Sequence, residues 1–209
     1  GNTASNVQGT PATTVIIDRI RPEISNMGLA SNNANLRLAK AGDEITLNFT
    51  VDEAINAPTV QIAGQNAIVS NNGNDWTATI TVNQNSTEGY ASFSIANISD
   101  IASNPRGDII VNNTDSSNGV LIDVTAPTIS GKLMSSNNLN TTLAKEGDEI
   151  TLVFTSSETI NTPLVTIAGQ NAVVTNNGND WSATITVNAN STEGMAMLTI
   201  SNISDTAGN

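Results

Sequence analysis

Residues 39–49 read AKAGDEITLNF, and residues 144–154 read AKEGDEITLVF. Outward from this pair, IAGQNA (62–67) returns at 167–172, and NNGNDWTATITV (71–82) returns as NNGNDWSATITV (176–187). STEG (86–89) and NISD (97–100) return unchanged at 191–194 and 202–205. Residues 16–104 therefore reappear at 121–209 with a constant offset of 105, no gap and about two-thirds identity. A period of that size is too long for one solenoid turn and suits a whole small domain, so the chain is predicted to be a tandem array of separately cored modules.

The quoted stretch also sets the type of secondary structure. Ile45, Leu47, Phe49 and Val51 fall on one face and Glu44, Thr46, Asn48 and Thr50 on the other, the period of a half-buried antiparallel strand. Trp76, Ala78, Ile80 and Val82 repeat the pattern, as do Ala91, Phe93 and Ile95. Asn72-Gly73, a pair favoured where a hairpin turn needs positive φ at both central positions, predicts a hairpin over 66–82. Strands are expected near 22–28, 44–51, 58–63, 66–70, 75–83 and 90–97, with a last one inside 109–124. Short strands punctuated by turn signals in this way predict an all-β fold of tandem immunoglobulin-like (fibronectin-like) antiparallel sandwiches. Trp76 and Trp181 are expected in the cores.

Composition removes whole classes of chemistry. With 0 His and 0 Cys, nucleophilic cysteine, histidine bases, imidazole or thiolate zinc sites and disulfides are excluded. A net charge of -12 argues against nucleic acid or an anionic membrane surface as partner and leaves calcium and basic partners open. No apolar run has the length of a membrane span and no signal segment opens the chain, so no membrane insertion and a soluble chain are expected. Aromatic residues make up 3% of the sequence, so the cores must be built from Ile, Val, Leu, Ala and Thr methyl groups.

IDVTAPTIS (122–130), AKEGDEITLVFTSSETI (144–160), PLVTIAGQNAVVT (163–175) and ISDTAGN (203–209) resemble the bacterial Ig-like repeats of large surface adhesins and other secreted proteins. The resemblance covers both repeats. It implies an extracellular, cell-surface or secreted setting and a role as stalk or spacer, and it names no adhesive ligand. In the first repeat the linker reads IDRIRPEIS (17–25), with Ile20-Arg21 where the second has Thr-Ala before Pro127.

In this family the final strand precedes the Ile-Asp-x-x-x-Pro linker, which divides the chain into domain 1 at 19–124 and domain 2 at 125–209. Domain 2 then lacks the counterpart of PRGDIIVNNTDSSNGVLID (105–123), and residues 1–18 look like the end of a preceding repeat. Two accounts fit. Either a longer array is cut inside its period, or residues 12–18 of one molecule complete the second domain of the next by donor-strand complementation, giving a head-to-tail filament. The partners expected are neighbouring copies of the same repeat, covalently joined or head to tail.

Strand counting places acidic residues from the linker and two loops at one pole of each repeat. These are Asp18, Glu53, Asp100 and Asn104 at the first junction, and Asp123, Glu158, Asp205 and Asn209 at the second. Oxygen ligands gathered from three segments suit Ca²⁺, a hard cation, and adhesin-like and cadherin-like repeats use calcium at such junctions. The plainer alternative is that Asp100 closes a turn through its side chain and Asp18 is a solvated linker residue. Arg19, Arg21 and Arg106 are available to pair with the first set. Glu88 and Glu193, in STEG, read as hairpin residues, and Lys40 and Lys145 lie in polar loops that do not favour an isopeptide bond.

These features predict a structural extracellular module, a stalk, spacer or filament building block of a surface adhesin, and no enzyme. The alternative is a carbohydrate- or ligand-binding module appended to a secreted enzyme, but with Phe49, Phe93 and Trp76 turned inward Tyr90 is almost the only ring left to the first repeat. Paired carboxylates hydrolyse glycosides only across a shared cleft, and these acids stand on turns.

Overall fold

The computed structural model describes residues 15–113 and 119–209. Residues 12–14 of the donor segment 12–18 lie outside the described residues.

In the first repeat the strands are β1 (Ile24–Ser31), β2 (Leu38–Ala39), β3 (Glu44–Val51), β4 (Thr59–Ile62), β5 (Gln65–Asn66), β6 (Ile68–Asn72), β7 (Asp75–Thr81), β8 (Gly89–Tyr90), β9 (Phe93–Ala96), β10 (Ile109–Val111) and β11 (Leu121–Ile122). The second repeat supplies β12 (Ile129–Ser136), β13 (Glu149–Ser156), β14 (Leu164–Ile167), β15 (Gln170–Asn171), β16 (Val173–Asn177), β17 (Asp180–Thr186) and β18 (Leu198–Ser201). No helix appears among the described residues, so none is long and apolar enough to cross a membrane.

The sheets run β1-β3-β7-β6 and β10-β9-β4-β5 in the first repeat, with a third small sheet β2-β11-β8. In the second they run β12-β13-β17-β16 and β15-β14-β18. Side-chain alternation holds as the sequence dictates: β3 and β13 both bury Ile, Leu and Phe at every second position and turn Thr and Glu outward. By compactness the chain divides into two units. Of the described residues, one comprises those up to Gly28 with Leu47–Thr79 and Ser92–Asn112, and the other Leu29–Thr46, Ile80–Ala91 and those from Asn113 to Asn209.

In the first unit, Phe49, Val51, Val60, Ile62, Trp76 and Ile95 are buried, and Phe49 lies 6.1 Å from Trp76, centroid to centroid, with ring planes 10° apart. In the second unit the core of the second repeat joins Ile150, Leu152, Phe154, Trp181, Ala183 and Ile185 from one sheet to Val165, Ile167 and Ala168 from the other. Phe154 and Trp181 stack at 6.1 Å, as their counterparts do. Both tryptophans are thus core residues.

Two local findings refine the sequence reading. Asn72 pairs with Asp75, so the two-residue turn is Gly73-Asn74, one step later than expected. Gly73 has φ 62 and Asn74 is not at positive φ, which is the pattern of a type II′ turn with glycine first. Between β4 and β5, Ile62 pairs with Gln65 across Ala63 (φ 47) and Gly64 (φ 74), a type I′ pattern with alanine at its first corner.

Candidate metal centres at the repeat junctions

Asp205 sits at an isolated bridge to Ile160, in the loop that follows β18, and is 1% exposed. A buried carboxylate needs donors, and the next residues provide them: Gly208 N (2.7 Å) and Asn209 N (2.9 Å) donate to Oδ1, and Asn209 Nδ2 (2.9 Å) donates to Oδ2. Asp100, also 1% exposed, bridges Ile55 and accepts from Asn104 N (2.7 Å) and Asn104 Nδ2 (2.6 Å). Both aspartates therefore close turns, and both also face two further acids. Asp18, Glu53 and Asp100 form one cluster and Asp123, Glu158 and Asp205 the other, each with one carboxylate oxygen per residue and all three oxygens within 4.8 Å of one another.

Each cluster draws on three separate segments. Asp123 follows β11, its backbone N–H held by Ala39 O at 2.9 Å, and its Oδ1 accepts from Thr125 N at 3.2 Å. Glu158 leaves the end of β13, where Ser156 Oγ donates to Glu158 O at 2.6 Å. Asn209 Nδ2 also donates to Asp123 O at 3.0 Å, so the terminal loop grips the linker directly. In the first cluster Asp18 is exposed and accepts from Ile20 N at 3.0 Å, the same linker turn. Asn104 and Asn209 thus present amide nitrogen to the acids and serve to fix them.

Electrostatics follow from this crowding. Loss of solvation holds the Glu158 carboxyl above the usual range, with the negative charges of Asp123, Asp205 and Glu88 adding to it. Asp123 is pushed up first by desolvation and then by Asp205 and Glu88, against the opposing hydrogen bond from Thr125. Glu53 is raised by desolvation, then by Asp18, Asp100 and Asp52. Two of the three arginines available to the first cluster are engaged elsewhere: Arg21 Nε lies 3.1 Å and Arg106 Nη2 3.4 Å from Glu23.

Glu88 is the residue that the sequence reading left in a hairpin. Its Oε1 accepts from Thr125 Oγ1 (2.6 Å) and Val124 N (3.2 Å), and these bonds hold its carboxyl below the usual range. It therefore stands beside the second cluster as a fourth acid. Of the remaining duplicated acids, Asp43 and Asp148 accept from Asn33 and Asn138 Nδ2 at 2.7 Å, and Asp75 and Asp180 accept from Thr50 and Thr155. Those are structural bonds away from the clusters.

The donor set fits calcium. Oxygens bound to one Ca²⁺ at about 2.3–2.6 Å lie at most roughly 5 Å apart, and the 4.8 Å spread falls inside that limit. Three carboxylates would leave the other positions of a site with about 6–8 ligands to backbone carbonyls and water.

No protein-family model matches the chain. No curated protein matches it. Among solved structures, that of the titin domains Z1Z2 in complex with telethonin aligns over 88% of this chain and 95% of that one, at 11% identity and a TM-score of 0.30. Strand order and buried faces make the chain all-β, with tandem antiparallel sandwiches of immunoglobulin-like type.

Proposed function

We propose that the chain is a structural repeat module, a stalk or spacer of an extracellular bacterial surface protein of the adhesin type, with no catalytic role. The observation that carries this reading is the bracing of one repeat against the next. Asn209 Nδ2 donates to Asp123 O, Lys40 Nζ to Gly208 O at 2.6 Å, and Asn33 Nδ2 to Ala207 O at 2.9 Å. Hydrogen bonds that tie the end loop of the second repeat to the closing strand and loops of the first serve end-to-end geometry, not a cleft. Both tryptophans and all three phenylalanines are buried, which leaves a carbohydrate-binding platform with a single, partly buried ring, Tyr90.

Under this reading the two acidic clusters hold Ca²⁺, which neutralises the charge at the linker and stiffens the hinge. Asp123, Glu158 and Asp205 would bind it at the second junction and Asp18, Glu53 and Asp100 at the first. Calorimetric titration after chelation is expected to show uptake and a raised melting temperature, with Glu158→Gln losing the second site. No heat and unchanged melting would remove calcium from the account. Single-molecule extension from both ends is expected to give one discrete unfolding event per repeat; smooth low-force extension would remove the load-bearing role.

A further inference from the structure

We infer that Arg106-Gly107-Asp108 is a docking site for a receptor protein that takes the guanidinium on an acidic side chain and the carboxylate on a bound divalent cation, with Glu23 holding the arginine in check. Such a site goes beyond the spacer reading and takes from it only the extracellular setting. Arg-Gly-Asp occurs once in the sequence, in the connection between β9 and β10.

The fold presents this tripeptide on a fixed base. On its N-terminal side Pro105 bridges Ser99, and Arg106 N donates to Ile98 O at 2.9 Å. The turn before it is closed by the buried Asp100, which accepts from Asn104 N and Nδ2. On the C-terminal side Ile109 opens β10 and pairs with the fully buried Ile95. Residues 106–108 lie in no strand, and Gly107 and Asp108 are exposed. A short loop pinned at both ends loses little freedom when a partner seats on it.

Gly107 separates recognition from folding. It is not at positive φ, and a Cβ built there meets nothing within 4 Å. Neither the backbone nor the packing of this chain therefore calls for glycine, whereas a partner lying close over the peptide does. Asp108 has no internal duty either, since its carboxylate makes no hydrogen bond or ion pair among the described residues. An exposed carboxylate is the ligand that a Mg²⁺ or Mn²⁺ ion with exchangeable water positions accepts.

Arg106 is the engaged member of the three. Its Nε and Nη2 both lie 3.4 Å from Glu23 Oε2, while Arg21 Nε lies 3.1 Å from Glu23 Oε1. The Glu23 side chain is 52% exposed, so solvent screens its pair with Arg106. If Arg106 swings outward, Glu23 keeps Arg21. The freed guanidinium is a planar fork that matches a receptor carboxylate through two parallel hydrogen bonds.

The probe is an integrin ectodomain, a receptor that reads Arg-Gly-Asp through these two subsites, fixed to a sensor in Mn²⁺ while the intact chain flows over it. Saturable binding is expected, weakened about tenfold or more by Asp108→Glu and by Gly107→Ala, because each spoils the fit of one closely held charge or peptide. Neither variant should move the melting temperature, which a merely structural role would lower. Glu23→Gln, which frees Arg106, is expected to tighten binding about threefold, the strength of one screened surface pair. No binding by the parent or by Glu23→Gln, or binding unchanged by Asp108→Glu and Gly107→Ala, would overturn the site. Equal affinity of the parent and Glu23→Gln would overturn the restraint. If binding fails while each repeat still unfolds as a discrete event under force, the receptor site falls and the spacer reading stands; smooth low-force extension with binding intact does the reverse.

Discussion

Trp76 and Trp181 hold the same place in their repeats and differ in one bond. Trp181 Nε1 donates to Ser156 Oγ at 3.2 Å, whereas Trp76 Nε1 is buried with no hydrogen-bond partner among the described residues. The cause is one substitution, since Val51 stands where the second repeat has Ser156. Removing the hydroxyl with Ser156→Ala is expected to cost the second repeat about 1–2 kcal/mol, the penalty of an unsatisfied buried donor. Val51→Ser trades apolar burial for a partner and is expected to stay within about 1 kcal/mol of the parent. Urea unfolding followed by tryptophan emission checks both. The clusters give a second prediction with a definite sign. Glu158, Asp123 and Glu53 have raised carboxyl pKa values, so between the ordinary and the raised value the folded chain holds more protons than the unfolded one. Stability therefore falls as pH rises through that window, and in chelator the melting temperature should climb on acidification from neutrality into it. Glu158→Gln is expected to raise melting at pH 7 in chelator and to flatten this dependence; a flat profile in the parent chain would contradict the assignment. The acids of the two clusters were legible in sequence because each is duplicated and falls at one pole by strand counting. Glu88 was not, because its approach to Thr125 depends on β11 seating beside β8, a pairing between residues more than thirty positions apart.

Strands with a strong alternating face were readable to the residue. The expected 44–51 is β3, and 75–83 ends two residues late on β7. Elements decided by distant partners were not readable: β2, β8 and β11 are two residues each and exist only because they meet one another. The turns show the same division. Asn72-Gly73 was the stronger dipeptide signal, yet the pairing of Asn71 with Trp76 sets the corner at Gly73-Asn74. Side-chain alternation on the paired strands outweighed turn preference, since a one-residue shift would turn Trp76 outward. The I′ pattern at Ala63-Gly64 was hidden because alanine is a poor residue for positive φ. That misfit can be relieved. Ala63→Asn places a residue that tolerates this conformation at a partly exposed corner and is expected to stabilise the first repeat by about 0.5–1 kcal/mol. Thermal unfolding of the variant checks it, and an unchanged or lowered midpoint would mean that the corner is not strained.

Across the whole chain the period of 105 was plain in sequence, but the difference between the two repeats becomes physical only in the sheets. The first repeat carries β10 beside β9 and β11 between β2 and β8, while β18 is an edge strand beside β14 alone. The consequence is visible in burial: Phe93 and Ile95 are 7% and 0% exposed, whereas their counterparts Leu198 and Ile200 are only partly buried. Two repeats of nearly the same sequence should therefore differ in stability, the second being the weaker. Supplying residues 105–124 again after Asn209 would bury two further apolar side chains at the β11 position, Val and Ile. At about 1.5–3 kcal/mol for each fully buried aliphatic side chain, the second repeat should gain roughly 3 kcal/mol or more. For a domain of this size that is a rise of about 12 °C or more in its melting transition. The same extension with Asp in place of the residue copied from Ile122 inserts a charge where an aliphatic group belongs and is expected to return most of the gain. If both extensions leave the second transition where it was, the difference between the repeats has another origin.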